Sequence, residues 1–294
     1  MEKDDLLAWG LLLILALVWG SSFILIKKGL VAFPPFQIGA LRMIISSLTL
    51  LPWLWRFREE LAGITKVQWI GIIAVGCIGN GIPSFLFPIA ETGLNSATAG
   101  ILNVITPIFV WILGVSLFGL AFSWKQLAGV VVGLVGAVVL ILAKSGDIQI
   151  GSQLYYSLLV IFATVCYGLS SNIIKKYLST IHPILVTALV LTVAAIPYTF
   201  YLGTTDFWRI LNTHEQGPAS FGYIIILAVI GTALAMVLFN KLISFKDQVF
   251  SSSVTYLIPI VALLWGLVDG EQILFQQYLG MGVILAGVYL VNAK

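Results

Sequence analysis

Polar side chains are few in this chain, and most of them interrupt long apolar runs. Asn103 and Thr106 stand three apart just before Pro107, and Thr255 and Tyr256 stand just before Pro259. Residues three apart share a helix face. A helical proline cannot bond the carbonyl four residues earlier, so Pro107 and Pro259 are expected to free the carbonyls of Asn103 and Thr255. Trp19 with Ser22 forms a second pair, and Tyr167, Ser170, Ser171 and Asn172 form a third group. Ser252 extends the polar surface beside Thr255. Asn80 lies in Gly79-Asn80-Gly81-Ile82-Pro83-Ser84, and Pro88 follows, so the segment should bend. Arg42 lies inside an apolar run, eight residues past Pro34, roughly 12 Å along a helix at 1.5 Å per residue. Rings, amides, hydroxyls and free carbonyls of this kind hold a solute reversibly.

Covalent chemistry is not indicated. An intramembrane enzyme needs a nucleophile with its base, or metal ligands, at depth. No His, Asp or Glu stands beside the serines in these runs. His182 and His214 are isolated, and Cys77 and Cys166 read as small buried thiols without a CxxC pair. No cofactor and no metal site are expected. Glu91, Asp269 and Glu271 fall near segment ends, where Glu271 should cap a helix or bridge the last two segments.

The elements that position these groups follow from composition. The chain has 294 residues, 60% hydrophobic and 9% charged, with a mean hydropathy of +1.07. A soluble domain carries roughly 25% charged residues, so lipid must cover most of this surface. The net charge of +3 implies no nucleic-acid partner. The acidic start (Glu2, Asp4, Asp5) does not suit a signal peptide, so the first apolar stretch reads as a retained span.

A membrane helix needs about 20 apolar residues. Ten such segments are expected, near 6–27, 34–55, 67–89, 93–118, 124–143, 153–175, 183–203, 220–243, 248–267 and 274–293. The longest polar connections are Arg56–Lys66 and Thr204–Ala219. With the N-terminus inside, Lys3, Arg56, Arg58, Lys66, Lys125, Lys175, Lys176, Lys241, Lys246 and Lys294 fall on the inner side. Lys27, Lys28, Lys144 and Arg209 fall on the outer side. Basic residues favour the inside, so both termini are expected to be cytoplasmic. Lys27, Lys28, Lys175 and Lys176 are expected to snorkel toward headgroups.

The chain also repeats itself. Trp19-Gly20-Ser21-Ser22, with Lys27-Lys28 behind it, returns as Tyr167-Gly168-Leu169-Ser170, with Lys175-Lys176, at an offset of 148. Pro107 returns as Pro259 at an offset of 152. Gln126, Gly129 and Gly136 return as Gln277, Gly280 and Gly287 at an offset of 151. Five spans per half is an odd number, so the second half must enter the membrane reversed. The expected fold is an all-α membrane protein: ten transmembrane helices in two inverted five-helix repeats, residues 1–146 and 147–294, around a central cavity.

The span count, the aromatic-Gly-x-Ser openings at Trp19 and Tyr167, Pro107 and Pro259, and Gly270-Glu271 together resemble the EamA family of the drug/metabolite transporter superfamily. The resemblance implies a multi-pass transporter of a prokaryotic inner membrane that exports amino acids or other small metabolites. It also implies that the last helix of each half is peripheral. The chain departs from the pattern at Gly119-Leu120, where the first half lacks the Gly-Glu acid, and at Val190, which matches Arg42.

The expected substrate-binding residues are Trp19, Ser22, Arg42, Asn80, Asn103, Thr106, Tyr167, Ser171, Asn172, Ser252, Thr255 and Tyr256. The expected hinges are Pro83, Pro107 and Pro259. Trp111 and Trp265 are expected either to pack or to shape an aromatic cavity. The partners are a small-molecule substrate and the lipid bilayer, with a monomer and a homodimer both compatible. Alternating access would move a small polar or amphipathic metabolite, amino acids first. The alternative is an exchanger of phosphorylated metabolites or nucleotide sugars, which needs several cavity bases where Arg42 stands alone.

Overall fold

A computed structural model describes residues 3–142, 150–246, 251 and 254–292. These are helical throughout, with no strand among them. We label the main helices α1 (Lys3–Gly29), α2 (Pro35–Arg56), α3 (Lys66–Ala90), α4 (Ser96–Leu117) and α5 (Trp124–Leu142). They continue as α6 (Ile150–Ile173, prolonged by the π turn Ile174–Leu178), α7 (Pro183–Gly203), α8 (Gly217–Ser244), α9 (Val254–Val268) and α10 (Phe275–Asn292). Seven of these, α1 to α4 and α6 to α8, are long and apolar enough to cross a membrane; α5, α9 and α10 are shorter apolar helices. The two long polar connections are not plain loops. They contain the short helices Arg58–Ala62 and Phe207–Thr213.

Local signals explain where the helices begin. Thr65 and Gln68 form a reciprocal capping box at the start of α3. Asn95 accepts from the Thr98 N–H at the start of α4. Inside α3 and α8 the winding loosens into π turns, Val75–Gly81 and Val229–Leu234. Each turn has a carbonyl taken by a side chain: Asn80 Nδ2 donates to Val75 O at 3.1 Å, and Thr232 Oγ1 donates to Leu227 O at 3.0 Å. Such bulges are frequent at functional sites.

The three expected hinges differ. Pro83 directly follows the α3 π turn. Beside Pro107, α4 is interrupted between Asn103 and Thr106. α9 runs unbroken through Pro259. The carbonyl of Asn103 is not left free either, because Thr106 Oγ1 donates to it at 2.7 Å.

Packing sets the frame. α5 lies along α10 and α2 along α7; α1 packs on α9 and α8, and α6 packs on α4 and α3. The α5–α10 contact is glycine-made: a methyl on Gly129 would lie 2.7 Å from Gly287 O, and one on Gly136 would lie 2.6 Å from Ile284 N. Small residues allow helices in lipid to approach this closely. Ile101, Leu102, Ile105 and Ile108 of α4 are fully buried, so α4 is central. Leu17, Phe200, Val268 and Tyr289 project outward, as lipid-facing side chains should. Cys77 is also exposed on the surface rather than buried, whereas Cys166 is buried. Cys77 continues the exposed face of Ile70 and Ile73, seven and four residues before it along the helix.

Candidate functional site

A cavity of about 170 Å³ lies between α1, α2, α3, α4, α6, α8 and α9. At liquid water's share of about 30 Å³ per molecule it holds roughly five or six waters. None of its lining residues belongs to α5, α7 or α10. Trp19 forms one wall and meets Phe239 edge-on at 5.0 Å between ring centres. Polar groups converge from Ser22, Asn80, Asn103, Thr106, Tyr167, Ser170, Ser171, Thr232, Asn240 and Thr255. Arg42 brings the single charge among the described lining residues.

Several of these groups are held from behind. Ser22 Oγ donates to Val18 O at 3.1 Å in its own helix. Arg42 Nε donates to Thr232 Oγ1 at 2.7 Å, which ties α2 to the α8 π turn, and the guanidinium faces Tyr167. Asn240 Nδ2 donates to Thr187 Oγ1 at 2.8 Å, tying α8 to α7. Two close approaches flank the cavity. A methyl on Gly79 would lie 2.3 Å from Ser170 Oγ, and one on Gly231 would lie 3.0 Å from Ser22 Oγ.

Beyond Ile26, at the C-terminal end of α1, the helices are tied by charge. Lys27 Nζ lies 2.7 Å from both Asp269 Oδ2 and Glu271 Oε1, and Lys28 Nζ lies 2.5 Å from Asp269 Oδ1. Glu271 also accepts from Ser96 N at 3.1 Å, Ser96 Oγ at 2.8 Å and Ala97 N at 3.2 Å. It thus places negative charge on the N-terminus of α4, where the helix dipole favours it. Glu271 therefore joins α1 and α4 rather than α9 and α10, and Lys27 and Lys28 serve carboxylates rather than headgroups. Hydrogen bonds from Lys27 and then Lys28 hold the Asp269 carboxyl below its ordinary range. Burial alone would raise Glu271, but the bonds from Lys27, Ser96 and Ala97 outweigh it and hold it low.

The matching turn at the end of α4 has the same backbone. Gly119 and Gly270 both adopt φ +78°, which suits glycine. Leu120 N donates to Gly114 O at 3.0 Å, as Glu271 N donates to Gly266 O at 2.8 Å. Leu120 covers Gly114 as Glu271 covers Gly266.

One acid stands apart. Glu91, just past α3, is 92% buried, since its exposure is 8%, and neither carboxylate oxygen has a hydrogen-bond partner among the described residues. Burial, with the nearby charge of Glu271, pushes its carboxyl well above the ordinary range; Lys27 and Arg42 act the other way without prevailing.

Of the sequence-predicted residues, Trp19, Ser22, Arg42, Asn80, Asn103, Thr106, Tyr167, Ser171 and Thr255 line the cavity together. Two do not. Asn172 donates to Val110 O and Gly168 O, both at 2.9 Å, so its amide binds the α4–α6 seam. Tyr256 Oη donates to Val288 O at 2.8 Å and faces α10. Ser252 lies outside the described residues. Trp111 donates to Gln126 at 2.7 Å, and Trp265 donates to Ser21 at 2.8 Å from an exposed position; neither lines the cavity. Sequence reasoning missed Thr232 and Asn240. Thr232 was legible, since it stands at the 152-residue offset from Asn80. Asn240 falls opposite Pro88 at that offset and left no such signal.

A model of the EamA-like transporter family matches residues 6–142 and 154–293. An Archaeoglobus fulgidus protein described as an uncharacterized transporter is 25% identical over 97% of this chain and 99% of its own length. A Salmonella typhimurium protein described as a "probable amino-acid metabolite efflux pump" is 26% identical over 98% of this chain and 94% of its own. A Chlamydia muridarum protein described as an S-adenosylmethionine/S-adenosylhomocysteine transporter is 25% identical over 94% of this chain and 88% of its own. A crystal structure with 16% identity superposes with a TM-score of 0.64 over 96% of this chain and 95% of its own, a likeness of fold.

Proposed function

The chain belongs to the EamA-like transporter family, a multi-pass membrane transporter, and from that premise we propose that it moves amino acids or similar small amphipathic metabolites by alternating access. The proposed frame is two inverted five-helix repeats, 1–146 and 147–294, with both termini cytoplasmic and the Lys27–Glu271 end outermost. Four correspondences support it. Ser22 meets Gly231 as Ser170 meets Gly79. α1 packs on α9 and α8 as α6 packs on α4 and α3. π turns recur in α3 and α8, and the positive-φ glycines recur after α4 and α9.

The observation that carries the cargo reading is the described cavity lining: rings and neutral polar groups from both halves with Arg42 as its one charge. That lining suits a carboxylate attached to an uncharged or zwitterionic body, whereas a phosphorylated cargo would call for several bases. The relatives described as an efflux pump for amino-acid metabolites and as a carrier of an amino-acid derivative agree with this class. We place the substrate against Trp19, Ser22, Arg42, Asn80, Asn103, Thr106, Tyr167, Ser171 and Thr255.

Thermal unfolding of the purified protein against amino acids, polyamines, nucleobases, sugars and sugar phosphates tests the reading. A ligand that binds only the folded state raises the melting point. A rise with amino acids that Asn103→Ala abolishes supports the assignment. A rise confined to phosphorylated compounds overturns it.

A further inference from the structure

Glu91 has no role in the transport scheme above, yet its position is hard to explain as mere packing. A buried ionised carboxylate without hydrogen bonds or a counter-ion is too costly to persist; the group neutralises instead. The charges around it are already matched. On its side of the bundle, Lys27 and Lys28 face Asp269 and Glu271, two cations against two anions. From α6, the Tyr156 ring packs at Gly93, two residues beyond Glu91, and Tyr167 faces Arg42. Among the described residues that leaves Arg42 of α2, which is in no ion pair with a carboxylate, as the cation whose charge acts on the Glu91 carboxyl. Phe87, one turn before Glu91, lines the same cavity as Arg42.

We propose that Glu91 is a proton-binding site linked to Arg42, so that binding of a carboxylate-bearing cargo at Arg42 and of a proton at Glu91 favour each other. With the proton in place, the Arg42 charge is uncompensated and open to the cargo. When the proton leaves to water, the Glu91 carboxylate satisfies Arg42, and an incoming carboxylate meets like charge. The linkage is reciprocal: whatever factor the proton adds to carboxylate affinity, the carboxylate adds to proton affinity. The proposal rests on the transport reading for its cargo, but the protonation itself does not.

Infrared spectroscopy of the full-length protein in liposomes, stepped through pH, tests both parts. The wild type should show the carbonyl band of a protonated carboxylic acid at neutral pH, and Glu91→Gln should lack it. If the band is absent in the wild type or unchanged in Glu91→Gln, the proton site is overturned. Arg42→Gln should move the midpoint at which the band disappears upward by roughly one pH unit, as loss of a neighbouring cation does. Arg42→Lys keeps the charge and should leave the midpoint in place. A midpoint that ignores Arg42→Gln overturns the linkage. In the same liposomes, a mixture of the twenty amino acids should also move the midpoint upward. If it does not while the two variants behave as stated, the cargo reading falls and the proton site stands.

Discussion

Lys27 Nζ and Glu271 Oε1 meet at 2.7 Å, and through them the end of α1 is fastened to the start of α4. The Glu271 side chain is 4% exposed, so truncating it leaves Lys27 short of a partner and the Ser96 and Ala97 amides uncapped. Glu271→Ala should destabilise the protein by on the order of 2 kcal/mol, the scale for losing charged hydrogen bonds at a partly exposed pair. Leu120→Ala, at the matching turn, removes only apolar contact and should cost about 1 kcal/mol less. Thermal unfolding in detergent would decide; equal losses would mean that the ionic tie contributes nothing of its own.

The same cluster sets an acid limit. Asp269 and Glu271 have carboxyls held below their ordinary values by Lys27, Lys28 and the α4 amides. Their stabilisation is complete above the ordinary carboxylate range of about 4 and is lost as pH falls through the depressed values. Glu91 has the opposite sign: a raised carboxyl favours the folded state at low pH and costs stability as pH rises. Melting points should therefore fall in acid for the wild type. Asp269→Asn with Glu271→Gln should flatten that acid limb, and Glu91→Gln should raise the melting point on the alkaline side. A Glu91→Gln profile that parallels the wild type throughout would contradict the raised carboxyl.

Gly79→Ala should be worse than Gly231→Ala. The added methyl meets Ser170 Oγ at 2.3 Å in the first case and Ser22 Oγ at 3.0 Å in the second. Overpacking of the first kind costs roughly 1–3 kcal/mol. Ser170→Gly in the Gly79→Ala background should recover part of the loss. Comparison of the three melting points checks the ranking, and a reversed order would mean that the α3–α6 seam gives way easily.

Tyr256→Phe should lower stability by about 1 kcal/mol, the net value of one hydrogen bond, because its hydroxyl reaches Val288 O. It should leave ligand affinity unchanged. Asn103→Ala, on the cavity wall, should do the reverse. Parallel measurement of melting point and ligand-induced shift separates the two; an affinity loss in Tyr256→Phe would place its ring or hydroxyl in the pathway after all.

Much of the frame was legible because lipid imposes it. Apolar length marked the helices, and the repeat offset paired Ser22 with Ser170, each of which closely approaches a glycine, Gly231 and Gly79 respectively. Helix rotation was not legible. Asn172 and Tyr256 carry cavity-like chemistry, yet seam carbonyls on α4 and α10 claim them. A hydroxyl one turn away can also fill the carbonyl that proline vacates, as Thr106 does for Asn103. Cys77 lies on the outward stripe with Ile70 and Ile73, all apolar or small residues whose facing composition does not reveal. The Lys27–Glu271 tie joins positions 244 apart, a distance over which periodicity says nothing.

An inverted repeat made of identical halves would give two end states of equal energy, each the mirror in time of the other. The turn after α4 ends in Leu120 and the turn after α9 ends in Glu271, on the same backbone. In the proposed inverted frame, that unequal pair, together with Arg42 against Val190, lifts the degeneracy. About 2.7 kcal/mol suffices to turn an even two-state population into 99:1, so on the proposed alternating-access reading a few unequal side chains can decide which way the empty carrier waits.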